Sequence, residues 1–196
     1  MLDVDGVLTD GRLYFDARGE ALKVFHVRDG HGIKLLMQAG VQVAALSGRR
    51  SPAVAVRMRE LGVPTLVQAC SDKVAALERI SKRLRVSMLA SACIVDDTAD
   101  LPLMAAVGFA AAVADAHPVV LSAAHWVSPS AGGHGAVREF CDEVLRARAR
   151  ALARPAPPSP RRTTSRSQLA PTSQLAPTSQ PAPRLAKGRR LAKAPR

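Results

Sequence analysis

Short apolar runs alternate with helix-like segments along most of the chain, and this alternation limits the possible folds more than any other feature. Val41 to Leu46 is a continuous apolar run that ends at Ser47-Gly48, which is typical of a strand buried on both faces. Strands that alternate with helices predict a parallel sheet covered by helices on both faces. We therefore expect a three-layer, Rossmann-like α/β fold whose functional site lies beyond the carboxyl ends of the strands.

The same pattern locates the individual elements. Two β-like runs flank Ala17-Arg18-Gly19-Glu20, so we expect a β-hairpin inserted after the first strand. Helices are expected to end at Gly40 and Gly62, because glycine is common directly after the last helical residue. The predicted hairpin strands are 12–17 and 21–27, the later strands 66–67, 92–95 and 110–113, and the helices 33–39, 51–61, 72–84, 101–107 and 139–150.

The net charge of +12 belongs almost entirely to the end of the chain. Residues 151–196 contain ten Lys and Arg side chains, no acidic residue and nine of the 14 prolines. Such a segment cannot bury enough apolar surface to offset its ordering entropy, so we expect it to be disordered. The predicted organisation is one folded domain over 1–150, close to neutral, and a basic tail over 151–196.

Several broad classes of protein are excluded by composition. The longest apolar runs, such as 105–114, are much shorter than the roughly 20 residues of a membrane span. The cysteines Cys70, Cys93 and Cys141 are odd in number and lack paired spacing, which indicates reduced thiols in a cytoplasmic protein. We expect no membrane partner. We also expect no nucleic-acid partner, because the tail cations come without aromatic residues or a recognition helix.

The strongest chemical signal is Asp3-Val4-Asp5-Gly6 near the start of the chain. At the end of a strand, one carboxylate can attack while the other handles protons, and Gly6 allows a sharp turn beside a ligand. A plain turn is the alternative reading. A calcium loop is disfavoured, because Tyr14 stands where such a loop carries its acidic twelfth residue.

Three further positions strengthen the case for a site. Ser47-Gly48 lies between a strand and a helix, where a hydroxyl and backbone N–H groups can hold phosphate, although Ser47 could also serve as a helix N-cap. Lys73 opens a helix, where a cation is unfavourable unless it has another partner, although exposed lysines are common. The carboxylates of the 96–100 loop suit magnesium, with a solvated acidic loop as the alternative.

Taken in order, these residues resemble the haloacid dehalogenase-like phosphohydrolases. The similarity narrows to the 3-deoxy-D-manno-octulosonate 8-phosphate phosphatases and runs over about 2–148. The segments that carry it are Phe25-His26-Val27-Arg28-Asp29-Gly30, Ser47-Gly48-Arg49, Asp96-Asp97 to Asp100-Leu101-Pro102, Val113-Ala114-Asp115-Ala116 and Gly132-Gly133-His134-Gly135-Ala136-Val137-Arg138-Glu139.

The resemblance implies phosphoryl transfer in two steps. Asp3 would be the nucleophile that forms an aspartyl-phosphate, and Asp5 would act as general acid and then as general base. Ser47 and Lys73 would stabilise the transferring phosphoryl group. Mg²⁺ would be held by Asp3, by Asp5 through its backbone carbonyl, and by Asp96.

The resemblance also implies how substrate is held. Asp97 or Asp100 would support the metal ligands, and substrate contacts would include Asp5, Gly48, Arg49 and Arg57, with an exposed helical arginine as the alternative for Arg57. The family lacks a cap domain, and here too only a hairpin and one helix separate Asp5 from Ser47. Such relatives form homotetramers, so we expect contacts between subunits at 12–28 and 132–135; a simple connector is the alternative for the latter.

The expected substrate is the eight-carbon sugar-acid phosphate of lipopolysaccharide precursor synthesis. One alternative is a nine-carbon acid such as an acylneuraminate 9-phosphate. A second is a catalytically impaired, non-catalytic homologue whose basic tail binds nucleic acid or other polyanions, with strong salt dependence.

Two departures from the family pattern carry expectations of their own. Only Met1 and Leu2 precede Asp3, so we expect either a natural start upstream or a degraded copy that lacks part of a central strand. Val95 stands where relatives have glycine. Its β-branched side chain is expected to crowd the adjoining loop or to conflict with a backbone angle that only glycine takes.

Overall fold

The apolar runs form parallel strands in the computed structural model, which describes residues 1–153. The antiparallel hairpin consists of β1 (Tyr14–Asp16) and β2 (Gly19–Leu22), and the parallel strands are β3 (Ala44–Leu46), β4 (Thr65–Val67), β5 (Ala92–Val95), β6 (Phe109–Ala112) and β7 (Trp126–Val127). The helices are α1 (Val27–Gln38), α2 (Pro52–Leu61), α3 (Lys73–Leu84), α4 (Leu101–Ala106), α5 (Pro118–Ala123) and α6 (Ala136–Ala153). The predicted three-layer α/β class is confirmed.

Leu2 occupies the centre of the parallel array. It bridges in parallel to Ala45 of β3 on one side and to Ile94 of β5 on the other. The strand order is therefore β4, β3, Leu2, β5, β6, β7. All these strands are parallel, but the order in which the chain adds them reverses at Leu2: β3 and β4 lie on one side of it, and β5, β6 and β7 on the other. Such a reversal opens a crevice at the carboxyl ends of the strands. Among the described residues before Asp3, Leu2 is the one that bridges to both neighbouring strands, and its side chain is almost fully buried.

The helices fall into two packing groups. Helix α1 packs against α6 and α2, whereas α4 packs against α3 and α5. Helix α1 begins at Val27, six residues before the predicted start, because the His26 side chain accepts a hydrogen bond from the Arg28 N–H and caps the helix there. Helix α2 ends as predicted at Gly62, whose φ of 77° is left-handed.

Two elements were not predicted from the sequence. Helix α5 is only six residues long and starts at Pro118, with His117 as its cap. Strand β7 has two residues and owes its place to pairing, since Trp126 lies beside Ala111 of β6. Neither segment is long enough to show a period in the sequence.

Val95 causes no backbone conflict. It ends β5 in regular pairing, and its carbonyl accepts a hydrogen bond from the Val113 N–H at 3.2 Å. In the described chain, the non-glycine residues with positive φ are Ala69 and Arg85. The side chain of Val95 is fully buried, so it contributes to the core beside the next loop.

The end of the chain lies mostly beyond the described part. Helix α6 continues to Ala153, slightly past the predicted boundary at 150, and the predicted disordered tail from 154 onward lies outside the described residues. Within residues 1–153, every helix is too short or too polar to cross a membrane.

The glycine-rich segment 132–135 packs directly on the loop that follows Asp5. The Gly133 N–H donates to the Val7 carbonyl at 2.9 Å. A Cβ built on Gly132 would lie 1.8 Å from the Gly6 carbonyl oxygen, and one built on Gly133 would lie 2.5 Å from the Asp10 nitrogen. The segment is therefore a tight backbone-to-backbone contact, and not merely a connector before α6.

Substitution of Gly133 by alanine should destabilise the fold more than the same change at Gly62. Both glycines have similar positive φ values, 69° and 77°, but a Cβ at Gly62 meets nothing within 4 Å. The strain of the left-handed conformation, about 1–2 kcal/mol, is therefore common to both variants. The contact with Asp10 should add about 1–3 kcal/mol for G133A, as overpacking does in cores.

Chemical denaturation of the two variants measures this difference. Equal free energies of unfolding would show that the 132–135 segment yields without cost and would contradict the tight contact.

Candidate active site

Three strand ends place polar side chains at the crevice beside Leu2. Asp3 follows Leu2, Ser47 follows β3, and Asp96 follows β5. A cavity of about 380 Å³ opens there. Its walls are formed by Asp3, Asp5, Gly6, Gly11, Gly48, Arg49, Cys70, Ser71, Lys73, Asp96, Asp97, Ala99 and Asp100.

Three carboxylates meet at the floor of this cavity. One oxygen from each of Asp3, Asp96 and Asp100 lies within 4.8 Å of the others. Lys73 is the cation beside them: its Nζ is 2.9 Å from Asp3 Oδ1 and 2.7 Å from Asp100 Oδ2. These two ion pairs explain why a lysine can open α3, where the helix dipole disfavours a cation.

Burial raises the pKa of two carboxylates in this cluster, Asp3 and Asp96. Burial raises the pKa of Asp3 to about 8, although the Lys73 ammonium opposes the shift. Burial likewise raises the pKa of Asp96 to about 6. Burial lowers the pKa of Lys73, but the charges of Asp3 and Asp100 outweigh it, so the net pKa is raised and the ammonium is retained. Near neutral pH the Lys73 ammonium therefore does not fully offset the effect of burial on Asp3.

The donor set of the cluster fits a hard divalent cation. All its candidate ligands are carboxylate oxygens, as magnesium prefers. Asp100 Oδ1 is buried and has no hydrogen-bond partner among residues 1–153. Gly6 leaves room at this point, since a Cβ there would lie 2.0 Å from Asp96 Oδ2. The Asp97 side chain is occupied elsewhere, because it accepts from the Thr98 N–H at 2.6 Å.

Asp5 lies at the cavity wall and is held from two sides. Its Oδ2 accepts a hydrogen bond from Ser47 Oγ at 3.0 Å, and its Oδ1 pairs with Lys23 Nζ. Ser47 Oγ in turn accepts from the Arg49 N–H at 3.1 Å, which fixes the hydroxyl at the end of β3. Asp5 thus lies next to the carboxylate cluster, but its side-chain oxygens are not among those of Asp3, Asp96 and Asp100 that approach one another there.

The remaining predicted contact residues divide between cavity and helix surface. Gly48 and Arg49 line the cavity, and the Arg49 guanidinium lies 3.8 Å from Glu20. Arg57 does not line it. Its guanidinium pairs with Glu60 at 2.8 Å and lies 6.0 Å from the centroid of the Phe25 ring. A substrate-binding role for Arg57 stays a prediction.

Two charged residues of the site were not found from the sequence. Lys23 and Glu20 come from the hairpin segment, and Lys23 reaches Asp5 at the cavity wall only because the hairpin folds back over Asp5. Their spacing in the chain carries no motif of its own. A lysine between an apolar residue pair, Leu22 and Val24, was the one available signal.

Comparison with known proteins connects this geometry to a family. A family profile described as haloacid dehalogenase-like hydrolase matches residues 65–140. The 3-deoxy-D-manno-octulosonate 8-phosphate phosphatase of Haemophilus influenzae is 49% identical over 145 residues, which are 74% of this chain and 81% of the relative. The Yersinia pestis enzyme of the same name is 46% identical over 143 residues, 73% of this chain and 76% of its own.

Solved structures agree with the sequence matches. The cobalt-bound phosphatase from Haemophilus influenzae superposes with a TM-score of 0.73 at 48% identity, covering 76% of this chain and 86% of the other. The Moraxella catarrhalis phosphatase, in complex with a magnesium ion, a phosphate ion and KDO, gives 0.72 at 36% identity, covering 74% and 84%. The chain therefore belongs to the haloacid dehalogenase-like hydrolases and, within them, to the 3-deoxy-D-manno-octulosonate 8-phosphate phosphatase family.

Proposed function

We propose that this protein is a magnesium-dependent phosphatase that hydrolyses 3-deoxy-D-manno-octulosonate 8-phosphate to the free sugar acid and phosphate. The observation that carries the proposal is that Asp5 and Lys73 line the same cavity as the clustered carboxylates of Asp3, Asp96 and Asp100. Relatives of that name share 43–49% of the aligned residues with this chain.

In the first step, Asp3 is the nucleophile. One carboxylate oxygen of Asp3 attacks phosphorus, and the bond between phosphorus and the sugar oxygen breaks. Asp5 donates a proton to that leaving oxygen, which departs as an alcohol. Asp3 Oδ1 is oriented for this role by the Val4 N–H at 2.7 Å and by Lys73 Nζ.

In the second step, water hydrolyses the aspartyl-phosphate. Asp5, now a carboxylate, takes a proton from the water that attacks phosphorus. The bond between phosphorus and the Asp3 oxygen breaks, which releases phosphate and restores the Asp3 carboxylate. Asp5 therefore ends the cycle protonated, ready for the next leaving group.

The charge of the transferring group requires donors on several sides. The Ser47 hydroxyl, backbone N–H groups at Gly48 and the Lys73 ammonium would supply them. Asp3, the Asp5 carbonyl and Asp96 would hold Mg²⁺, with Asp100 supporting them. When bound, that ion neutralises negative charge on the phosphoryl group and on the carboxylates.

The other readings of the sequence are less favoured. The matched relatives act on the eight-carbon acid by name, which favours it over an acylneuraminate 9-phosphate. An impaired homologue was suggested by the short first strand and by Val95, and of these the expected backbone conflict at Val95 is absent. Binding of polyanions would depend on the basic tail, whose residues from 154 onward lie outside the described part.

We also propose that the chain works as a homotetramer in the cytoplasm, in lipopolysaccharide precursor synthesis. The assembly is supported by the hairpin, on which Leu13, Phe15 and Leu22 are 46%, 61% and 47% exposed. Apolar side chains so exposed typically mark a protein interface. The cellular setting follows from the proposed substrate.

Light scattering on the purified chain tests the assembly. We expect a tetramer mass for the intact chain and smaller species for F15D, because a buried charge is costly at an interface. L89D is the matched control, since Leu89 is also exposed but lies far from the hairpin in sequence. A monomeric intact chain would contradict the tetramer.

Replacement of Asp3 by asparagine should abolish phosphate release from the sugar-acid phosphate. The amide is a poor nucleophile, so we expect kcat to fall by about a thousandfold or more. Asp142→Asn serves as the control, because Asp142 pairs with Arg138 on helix α6 and does not line the cavity.

Phosphate assays with Mg²⁺ measure both variants. Undiminished turnover by D3N would contradict the role of Asp3. Absence of turnover by the intact, folded chain would contradict the proposed function itself.

Stabilisation of the protein by Mg²⁺ should grow with pH. The pKa of Asp3, about 8, lies above its ordinary 3.8, so between these values the folded metal-free protein binds more protons than the unfolded chain. Its free energy of unfolding therefore falls as pH rises through this range. Mg²⁺ binds the deprotonated carboxylates, so it removes this loss and stabilises more at about pH 8 than at about pH 5.

Melting temperatures in Mg²⁺ and in chelator, at both pH values, measure the effect. The difference in melting temperature between Mg²⁺ and chelator should increase with pH in the intact chain. In D96N this difference should be smaller than in the intact chain. An equal difference at both pH values would contradict metal binding by the raised-pKa carboxylates.

A further inference from the structure

Lys23 is a buried cation that the chemistry described so far does not use. Its side chain is only 2% exposed, and its Nζ pairs with Asp5 Oδ1 and lies 3.3 Å from Glu20 Oε2. Burial of an ammonium group is strongly unfavourable unless the group is paired. An apolar residue would fill the same space at a lower cost in free energy. The presence of a lysine here is therefore explained by its pairing with these two carboxylates.

The partners of Lys23 tie it to rigid parts of the fold. Glu20 accepts a hydrogen bond from the Ser51 hydroxyl, and Ser51 is the residue before helix α2. The Ser51 N–H in turn donates to the Gln68 side chain, just after β4. Glu20 therefore holds the Lys23 ammonium in place, and the ammonium donates to Asp5 from a fixed position.

The Asp5 carboxylate is consequently held at both oxygens. Lys23 holds Oδ1 from the hairpin, and Ser47 holds Oδ2 from the end of β3. Ser47 is also a group that would turn to a bound phosphoryl group. When it does so, Lys23 is the contact that keeps the orientation of Asp5.

We propose that Lys23 is a positioning residue for Asp5, and that it aims this carboxyl group at the leaving oxygen of the substrate. The inference rests on the proposed function, because it gives Asp5 the role of general acid. It carries a specific consequence: the benefit of Lys23 depends on how much the leaving group needs a proton. A sugar alkoxide needs one, whereas p-nitrophenolate departs readily without.

The test compares kcat/KM of K23M for two substrates, the sugar-acid 8-phosphate and p-nitrophenyl phosphate. This constant reports the steps up to departure of the leaving group. General acid catalysis contributes about 10²–10⁴-fold, so loss of its positioning should cost about 30-fold or more with the sugar phosphate. With the aryl phosphate the loss should stay within about 3-fold, because proton donation contributes little there.

Two further variants serve as controls. K23R keeps the charge and the donors, so it should recover most of the activity toward the sugar phosphate. K34M removes the same charge from an exposed position on helix α1, and we expect it to match the intact chain on both substrates. K23Q, which keeps a donor without the charge, replaces K23M if circular dichroism shows that K23M does not fold.

Equal losses on the two substrates, or no loss on the sugar phosphate, would overturn the inference. Failure of the proposed function looks different: the intact chain would hydrolyse p-nitrophenyl phosphate but not the sugar phosphate. In that case phenyl phosphate replaces the sugar phosphate as the substrate with the poorer leaving group, since phenol departs less readily than p-nitrophenol. The same unequal loss in K23M would then support Lys23, and equal losses would overturn it.

Discussion

The rest of the site depends on a cluster of three carboxylates, two of them buried, beside a single lysine. Asp3, Asp96 and Asp100 meet in one cluster, in which Lys73 forms ion pairs with Asp3 and Asp100. Burial raises the pKa of Asp3 to about 8, so in the protein alone this acid is largely protonated at neutral pH. A protonated carboxyl is a poor nucleophile, and a divalent cation held by this cluster would favour the ionised carboxylate. We therefore expect metal binding to activate Asp3 for its proposed role as nucleophile.

The sheet topology creates this arrangement. The order in which the chain adds its parallel strands reverses at Leu2. The residues that follow Leu2, β3 and β5 therefore lie in the same crevice. Acidic side chains on neighbouring loops are thereby forced together, although they repel one another. The tight packing of Gly133 supports the loop after Asp5, and Lys23 from the hairpin segment holds the Asp5 carboxylate.

Much of this could be predicted from the sequence, because its signals are local. Alternating apolar runs indicated the parallel sheet, and Asp3, Ser47 and Asp96 stand at strand ends as expected. Lys23 could not be found this way, since its role arises from a hairpin folding back onto Asp5. Helix α5 and strand β7 are too short to show a period. The expected backbone conflict at Val95 was wrong, because pairing with β6 keeps that residue in extended backbone.

The most direct test of this account is to find where the phosphoryl group goes during turnover. The chain, loaded with Mg²⁺ and the sugar-acid phosphate, would be quenched in acid within one turnover and its peptides analysed by mass spectrometry. The account predicts a phosphoryl adduct on the peptide that contains Asp3, formed only when Mg²⁺ is present. An adduct on another residue, or substrate consumption without any adduct on Asp3, would contradict it.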